Sequence, residues 1–493
     1  MTKQYLLAID QGTSSSRTVI YDARASVVAS AQQEFRQIYP TPGWVEHDPE
    51  EIWASVTNTM QEALGKAGIT MSDVAGIGIT NQRETTLVWD RRNGKCLYNA
   101  IVWQDRRTAD RCRELKGRIA DEVIAGKTGL RLDPYFSATK AAWILDNVDG
   151  ARRLAGEGHL AFGTIDSFLL WRLTGGAVHA TDATNASRTM LFNIHTQRWD
   201  EDLLELLDIP ESMLPDVLDC AAAFGSTDAG EFGEAVPICG IAGDQQAALI
   251  GQAGFDYGMT KSTYGTGCFV IANTGDEALA SHNHLLTTIA SRIGGAVSYG
   301  LEGSVFVAGS ALQWLRDELQ IIDSAPESEE VAARTGIVDD VYVVPAFAGL
   351  GAPYWDPDAR GAIVGLSRGS GRDQVVTATL QAVAYQTHDL VDAMKDDGIS
   401  PSVLRVDGGM VANDWFLQFL ADILDVRVER PANVESTVLG AAYLAALQCD
   451  LIDDLQQASK LWRCDAVFEP RMSGDQRDAL LSGWAAAVAR VRV

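Results

Sequence analysis

A polar turn near the start of the chain carries residue types that could hold a phosphate chain. An apolar run ends in Asp10, and a turn through Gly12, Thr13 and three serines leads to Arg17 and a second apolar run. This pattern predicts strand, tight turn, strand. Backbone amides, hydroxyl groups and a guanidinium all bind phosphate, and Asp10 could hold a hydrated Mg²⁺ beside it. A polar hairpin that binds nothing is the competing interpretation.

The same plan recurs far down the chain. Residues 260–273 form a polar run, a turn at Gly265 to Gly267 and an apolar run, and a third glycine-rich turn follows a predicted strand at Asp407. Two similar hairpins about half a chain apart indicate two related halves that offer phosphate loops to one cleft. This combination resembles the nucleotide-binding pattern shared by actin, the large heat-shock chaperones and sugar kinases. The pattern indicates use of ATP but does not by itself name a reaction.

Polar side chains stand where further predicted strands end. Arg83 and Glu84 follow the apolar run 74–80, Trp103 follows another short run, and Asp244 follows the run 237–243. Ligands of α/β proteins bind at such strand ends, so these side chains are candidates for a binding site. The alternatives are a surface ion pair for Arg83 and Glu84, and a helix N-cap for Asp244.

Composition narrows the classes of function. The chain has 493 residues, 46 % of them hydrophobic and 22 % charged, which indicates a globular protein of two or more domains. The net charge of −26, without a basic cluster, makes nucleic acid and anionic membranes poor partners. Seven scattered cysteines without a Cys-x-x-Cys motif predict reduced thiols, and hence a cytoplasmic protein. We expect no zinc site, signal peptide or membrane insertion.

Predicted strands and helices alternate along the chain, which indicates α/β domains with mixed sheets. Asp48 and Pro49 predict the start of a long helix, and the Ala-rich stretch 437–449 predicts a closely packing one. We also expect a strand at 101–103, a helix at 247–252, a strand at 297–301 and a helical tail from 450 to 493. The predicted domain boundary divides the chain into residues 1–250 and 251–493.

The motifs together resemble those of the FGGY carbohydrate kinases, over essentially the whole chain. The C-terminal signature of that family is similar to residues 361–366, 374–375 and 378–381, whereas the signature at 135–147 is looser because of Ala141. The resemblance implies an α/β fold of two actin-like (ribonuclease H-like) ATPase domains, with the catalytic cleft between them. The first domain would carry the acceptor site and a phosphate loop, and the second would bind the nucleotide.

The resemblance also implies roles for individual residues. The acceptor would be held by Arg83, Glu84, Trp103, Tyr135, Asp244, Gln245 and Phe269. Asp244 would be the catalytic base, and Asp10 would hold Mg²⁺ through water. The nucleotide and its phosphates would be held by Thr13, Ser14, Ser15, Arg17, Thr266, Gly309, Gln313, Gly409 and Asn413.

The implied activity is ATP:glycerol 3-phosphotransfer, which makes sn-glycerol 3-phosphate and ADP in glycerol catabolism. ATP and Mg²⁺ would be required, and the protein would be a homo-oligomer, either a dimer or a tetramer. One alternative is another FGGY kinase that acts on a pentulose or polyol, although a bulkier acceptor would need a wider pocket. A non-metabolic actin-like ATPase is the other alternative.

One stretch departs from the family pattern. Fructose 1,6-bisphosphate inhibits some bacterial members at a loop where the motif carries a Gly-Arg pair. Counted back from Asp244, Gly233 matches the glycine, but Ala235 stands at the arginine position and Glu234 lies between them. We therefore expect weak inhibition or none.

Overall fold

The computed structural model describes residues 4–356 and 358–492, in which strands and helices alternate along the chain. In the first half the strands are β1 (Tyr5–Gln11), β2 (Ser15–Tyr21), β3 (Val27–Glu34), β4 (Glu46–His47), β5 (Val74–Asn81), β6 (Leu87–Asp90), β7 (Ala100–Ile101), β8 (Leu160–Gly163), β9 (Ala180–Asp182), β10 (Phe192–Asn193), β11 (Arg198–Trp199), β12 (Asp216–Leu218) and β13 (Ile238–Gly243). Its helices are α1 (Pro49–Ala67), α2 (Ala109–Lys116), α3 (Asp121–Thr128), α4 (Ser137–Asn147), α5 (Ala151–Gly156), α6 (Ile165–Leu173), α7 (Ala183–Ala186), α8 (Glu201–Leu207), α9 (Ala229–Phe232) and α10 (Asp244–Gly251).

The second half continues the alternation. Its strands are β14 (Thr260–Tyr264), β15 (Cys268–Gly275), β16 (Leu286–Ile293), β17 (Ala296–Val305), β18 (Tyr342–Val344), β19 (Ala362–Val364), β20 (Val403–Asp407), β21 (Arg427–Pro431) and β22 (Cys464–Phe468). Its helices are α11 (Gly309–Asp317), α12 (Glu327–Thr335), α13 (Arg372–Asp396), α14 (Asp414–Leu424), α15 (Ser436–Gln448), α16 (Leu455–Leu461) and α17 (Gly474–Ala489).

The first half is built on a sheet with strand order β13-β5-β1-β2-β3. Strand β1 pairs antiparallel with β2 and parallel with β5, and β13 is parallel to β5. The register places Gln11 beside Asn81, and Asn81 beside Gly243. The carboxyl ends of these three parallel strands therefore meet at one edge, which is where the loops that follow them can share a site.

The second half repeats this plan in a sheet with order β16-β17-β15-β14-β20-β21-β22. Strands β14 and β15 form the second hairpin, and β14 runs parallel to β20, with Thr263 beside Asp407. Gly408 follows at a positive φ of 91° and lies against the backbone of Tyr264, so a side chain there would collide with the strand. The two glycine-rich turns of this half are thus brought together at the end of one sheet.

Helix α15 joins the two halves by close packing. It comes from the second half but lies on the first sheet, where Gly78 of β5 touches the backbone of Ala441. Gly440 touches Ala247 in the same way, which brings α15 against α10 without intervening side chains. The Ala-rich composition of the stretch had predicted such packing. The division of the chain at residue 250 stays a prediction.

Several predicted elements differ from the structure for identifiable reasons. Strand β17 runs past the predicted end at Leu301 because the next residue, Glu302, is buried beside cations rather than solvated. The predicted helical tail contains β22, an edge strand whose exposed residues give it no apolar pattern. Strand β7 ends at Ile101, because the chain then enters a turn in which the amide of Asp105 donates to the carbonyl of Val102 over 3.0 Å.

Candidate active site

A cavity of about 1030 Å³ opens between the two halves at the carboxyl edge of both sheets. Its walls combine both phosphate turns with the strand-end side chains that the sequence had singled out. The predicted residues that line it are Thr13, Ser14, Arg83, Glu84, Trp103, Tyr135, Asp244, Gln245, Thr266 and Phe269. Residues separated by up to half the chain are therefore brought to one cleft.

Three aromatic rings form one wall of the cavity. The ring of Trp103 lies edge-on to Tyr135, with centroids 5.7 Å apart, and edge-on to Phe269 at 5.9 Å. Such edge-to-face contacts give the wall a fixed shape. The indole of Trp103 also donates to the hydroxyl of Thr13 over 3.0 Å, so the wall is attached to the first phosphate turn.

Arg83 and Glu84 are buried, which shows that the surface ion pair interpretation was wrong. Their side chains are each 2 % exposed, and Arg83 Nε lies 3.9 Å from Glu84 Oε1. Arg83 instead donates two hydrogen bonds to the carboxylate of Glu302 in β17, from NH1 at 2.5 Å and from NH2 at 2.9 Å. Arg188 completes the group by donating to Glu84 at 2.7 Å and to Glu302 at 3.1 Å.

Asp244 lines the cavity and is the first residue of α10. Gly243 occupies the N-cap position, so the alternative of Asp244 as the N-cap was wrong. Its Oδ1 lies 3.1 Å from Arg83 Nε and accepts the amide of Gln245 over 2.7 Å. Burial raises the pKa of this carboxyl, although Arg83 and Lys261 act in the opposite direction. The side chain is 30 % exposed toward the cleft, so a proton acceptor is accessible there.

Asp10 lies close enough to Asp244 for the two carboxylates to repel each other. Burial raises the pKa of Asp10 to about 7, and the charge of Asp244 adds to the rise. Two neighbouring carboxylates suit a hard divalent cation such as Mg²⁺, whose charge would relieve the repulsion. Within the described residues no three His, Cys, Asp or Glu side chains converge as a metal cage, so water and phosphate oxygens would supply the other ligands.

The first phosphate turn is formed by the amide of Gly12, which donates to the carbonyl of Ser15 over 2.9 Å. Thr13 and Ser14 line the cavity, whereas the Ser15 hydroxyl accepts Gln32 on the neighbouring strand at 2.9 Å. The guanidinium of Arg17 pairs with Glu435, just before helix α15. Two of the predicted phosphate ligands thus face the cleft, and two are engaged by other side chains.

The second phosphate turn connects to the remaining predicted nucleotide residues. Thr266 accepts the amides of Ala308 and Ser310 at the start of α11, and Gly309 donates to Gly265 over 2.9 Å. Gln313 is exposed on the same helix, Gly409 begins a short 3-10 helix, and Asn413 accepts the amide of Phe416 as the N-cap of α14. Gly309 thus contacts the second phosphate turn, but none of these four residues is among those that line the cavity.

Four buried charged residues near the cavity were missed from the sequence. Glu302 and Lys261 lie in strands, where a charged residue is usually solvated, and Arg188 and Lys140 lie at or near short helices. Lys261 donates to Thr263 over 2.8 Å and to Gln245, which lines the cavity. Lys140 donates to the carbonyl oxygens of Tyr135 at 2.6 Å and of Glu84 at 3.2 Å. Lys140 lies inside the signature at 135–147, which was the available signal for it.

Comparison with known proteins agrees with this geometry. The sequence matches the FGGY family of carbohydrate kinases, with its N-terminal domain over residues 5–251 and its C-terminal domain over residues 260–449. It is 61 % identical to the glycerol kinase of Ectopseudomonas mendocina (strain ymp) over 490 residues, which is 99 % of each chain.

Solved structures extend the comparison. The structure resembles that of Plasmodium falciparum glycerol kinase with ADP, with a TM-score of 0.92, 38 % identity and coverage of 99 % of this chain and 98 % of the other. A ligand-bound xylulose kinase from Lactobacillus acidophilus has a TM-score of 0.87 at 22 % identity, covering 99 % and 97 % of the two chains, and is similar in fold alone. The predicted fold class of two actin-like α/β domains is confirmed. Over the described residues no helix has the length and apolar character that crossing a bilayer requires.

Proposed function

The chain belongs to the FGGY family of carbohydrate kinases, and from this premise we propose how its cleft acts as a glycerol-phosphorylating enzyme. It transfers the γ-phosphoryl group of ATP to a terminal hydroxyl of glycerol, giving sn-glycerol 3-phosphate and ADP. The observation that carries this assignment is the cavity between the two halves, where polar groups suited to a small triol meet both phosphate turns. The high identity to relatives named glycerol kinase supports the same acceptor.

Glycerol recognition would depend on matched hydrogen bonds and a small apolar wall. Arg83 can donate and Glu84 can accept, whereas Tyr135 and Gln245 can do both. The rings of Trp103, Tyr135 and Phe269 would pack on the carbon atoms. An analogue that lacks a hydroxyl would leave a buried polar group unpaired, which is the strongest form of discrimination available to such a pocket.

Asp244 would accept the proton of the attacking hydroxyl. Its raised pKa and its opening toward the cleft favour this role, and Arg83 Nε at 3.1 Å would keep the carboxylate turned to the acceptor. Phosphoryl transfer depends mainly on positioning and on charge neutralisation, so the base completes the reaction rather than driving it alone.

The phosphate chain of ATP would lie between the two turns. Thr13, Ser14 and Thr266 would donate hydrogen bonds to its oxygens, and Arg17 would join them after leaving Glu435. Asp10 would hold Mg²⁺ through water. When bound, Mg²⁺ would neutralise charge on the phosphate oxygens.

The alternatives predict different acceptor dependence. A pentulose or polyol kinase would have to fit a bulkier acceptor beside the wall formed by Trp103, Tyr135 and Phe269. An actin-like ATPase would have no use for the buried polar acceptor set at Arg83 and Glu84. The family relationship favours the kinase over the ATPase.

ADP release should be measured with glycerol, dihydroxyacetone, xylulose and no added acceptor. We expect saturable turnover with glycerol, weaker turnover with dihydroxyacetone and only background without an acceptor. Turnover that is fastest with xylulose would support the pentulose kinase, and turnover independent of acceptor would support the ATPase. Glu429→Gln serves as a control, because Glu429 of β21 pairs with Arg405 of β20 and lies four strands from β17.

We further propose that the enzyme works in the cytoplasm, where ATP is supplied, as a homo-oligomer of two or four chains. The scattered cysteines suit a reducing compartment. Light scattering at several protein concentrations would give the number of chains, and a single chain at all concentrations would contradict the oligomer.

A further inference from the structure

Six charged side chains, five of them buried, form one connected cluster at the cavity. Three are cationic and three are anionic, and they come from both halves of the chain: Arg83, Arg188 and Lys261 with Glu84, Asp244 and Glu302. The proposed function uses Arg83, Glu84 and Asp244. Glu302, the one carboxylate of the group on the second sheet, has no part in it so far.

Glu302 controls the orientation of the Arg83 guanidinium. Its two carboxylate oxygens accept NH1 at 2.5 Å and NH2 at 2.9 Å, so one edge of the planar guanidinium is fully engaged. A bidentate grip fixes the plane of the group, and the remaining Nε then lies 3.1 Å from Asp244. The position of Nε on the proposed base is therefore set from the opposite half of the molecule.

The charge balance of the cluster gives Glu302 a second effect. With all six groups ionised, three positive charges offset three negative ones. If Glu302 were neutral, the cations would outnumber the anions and Arg83 would be free to turn its two NH groups to Asp244. A base held in that way would be weaker and less able to face the acceptor.

We propose that Glu302 is a positioning residue for phosphoryl transfer, which holds Arg83 so that its Nε, and not its two NH groups, contacts Asp244. This inference rests on the proposed function. It also assigns a role to the contact between the halves, since the second sheet thereby orients the acceptor site of the first. Gln246 contributes to the same arrangement by accepting Arg83 NH1 at 3.3 Å.

The ionisation of the surrounding groups agrees with this role. Burial acts to raise the pKa of Glu302, but Arg188 and Arg83 hold it at about 2, so Glu302 stays ionised at working pH. The charged groups that shift the pKa of Asp244 are Arg83 and Lys261, which lower it, and Glu302, which raises it. Asp10 is also near this carboxylate, and the charge of Asp244 raises the pKa of Asp10. Removing the charge of Glu302 should therefore lower the pKa of Asp244.

The variants Glu302→Gln and Glu302→Asp test the charge and the length of this side chain separately. We expect Glu302→Gln to lower kcat with glycerol roughly 10- to 100-fold, the usual cost of a misplaced catalytic group, and to move the acid limb of the kcat/KM profile to lower pH. Glu302→Asp keeps the charge but shortens the side chain, so it should lower kcat and leave the acid limb in place. Glu429→Gln, the same change on β21, should match the wild type in both measurements.

The outcomes are distinguishable. A wild type without glycerol-dependent turnover would overturn the proposed function and this inference together. An active wild type with unchanged kcat and acid limb in both Glu302 variants would overturn this inference alone. A purely structural role would lower the folded fraction and leave kcat per folded molecule and the acid limb unchanged, which also overturns it. If Glu302→Gln does not fold, the kcat of Glu302→Asp per folded molecule is the test: a lowered kcat supports the inference, and an unchanged kcat overturns it.

Discussion

The indole N–H of Trp103 donates to the hydroxyl of Thr13 over 3.0 Å, across a separation of 90 residues in the chain. Trp103 also contacts Tyr135 and Phe269, so one side chain joins the acceptor wall to the first phosphate turn. The amide of Trp103 is held in turn by the hydroxyl of Thr85 at 3.3 Å. A shift of Trp103 would therefore move the wall of the acceptor site and the first phosphate turn together.

Breaking that hydrogen bond should weaken both substrates together. Trp103→Phe keeps a ring but removes the donor, at a cost of about 0.5–1.5 kcal/mol, or roughly a 2- to 10-fold loss of kcat/KM for glycerol and for ATP. Thr13→Val removes the acceptor of this bond and also the proposed phosphate donor, so it should give at least the same loss. Adding Trp103→Phe to Thr13→Val should then cost little more, whereas additive losses would show that the bond does not couple the two sites. Trp199→Phe, whose indole donates to Pro215 at 3.0 Å, is the matched control.

Replacing the proposed base should slow the chemistry and leave glycerol bound. Asp244→Asn keeps the shape of the side chain, and we expect kcat to fall by roughly 10² to 10⁴, the contribution of a positioned acid or base. The loss could fall at the lower end of that range because the transition state is loose. Glycerol affinity, measured by calorimetry, should stay close to that of the wild type. Near wild-type kcat would contradict the assignment of Asp244 as the base.

The local part of the site could be predicted from the sequence. Asp10 and Asp244 each end an apolar run, so their place at a strand end follows from neighbouring residues alone. The glycine-rich turns at 12 and 265 are likewise local signals. Such features depend on a few consecutive residues, which is why the two halves and the cleft between them could be predicted.

The long-range part could not be predicted from residue patterns. Arg83 and Glu302 are 219 positions apart, and nothing near Glu302 indicates that a cation will cover it. A lone acid in a strand usually ends that strand, so the prediction stopped β17 at Leu301. Arg83 and Glu84 could equally have been a surface pair, since burial of a charge is decided by its partner.

Lys140 should make stability depend on pH in a defined direction. Burial lowers its pKa from 10.5 to about 7 in the folded protein. Below about pH 7 Lys140 is protonated in both the folded and the unfolded protein, and the buried charge is fully unfavourable. Above about pH 7 the unfolded protein binds more protons than the folded one. The Lys140 contribution to the free energy of unfolding therefore rises with pH. Relative to Lys140→Met, the wild type should gain at most about 1.4 kcal/mol per pH unit between about pH 7 and about pH 10.

Urea unfolding at about pH 7 and about pH 9 measures that difference. Lys66→Met, at a side chain that is 52 % exposed, should show the same change in the free energy of unfolding with pH as the wild type. A free energy difference that does not change with pH would mean that Lys140 stays charged.

Lys140→Met should also raise the KM for glycerol, because Lys140 holds the carbonyl of Glu84, whose φ of 59° is unfavourable for a residue with a side chain.

The loop before β13 should make the enzyme nearly insensitive to fructose 1,6-bisphosphate. Ala235 is exposed and stands where the family motif has arginine, so at least one charge-assisted hydrogen bond of about 1.5–3 kcal/mol is lost for each site. Glu234 adds a negative charge beside that position, and its carbonyl is held by the hydroxyl of Thr227 at 2.8 Å. This negative charge would repel a phosphate group of the bisphosphate. A neighbouring cation would therefore have to offset that repulsion as well as replace the missing arginine. Kinase activity titrated with the bisphosphate at fixed Mg²⁺ is expected to stay constant, and strong saturable inhibition would contradict the prediction. Combining Ala235→Arg with Glu234→Gln should produce partial sensitivity if the chains assemble to complete the site, and fructose 6-phosphate, which lacks the second phosphate, is the control for each titration.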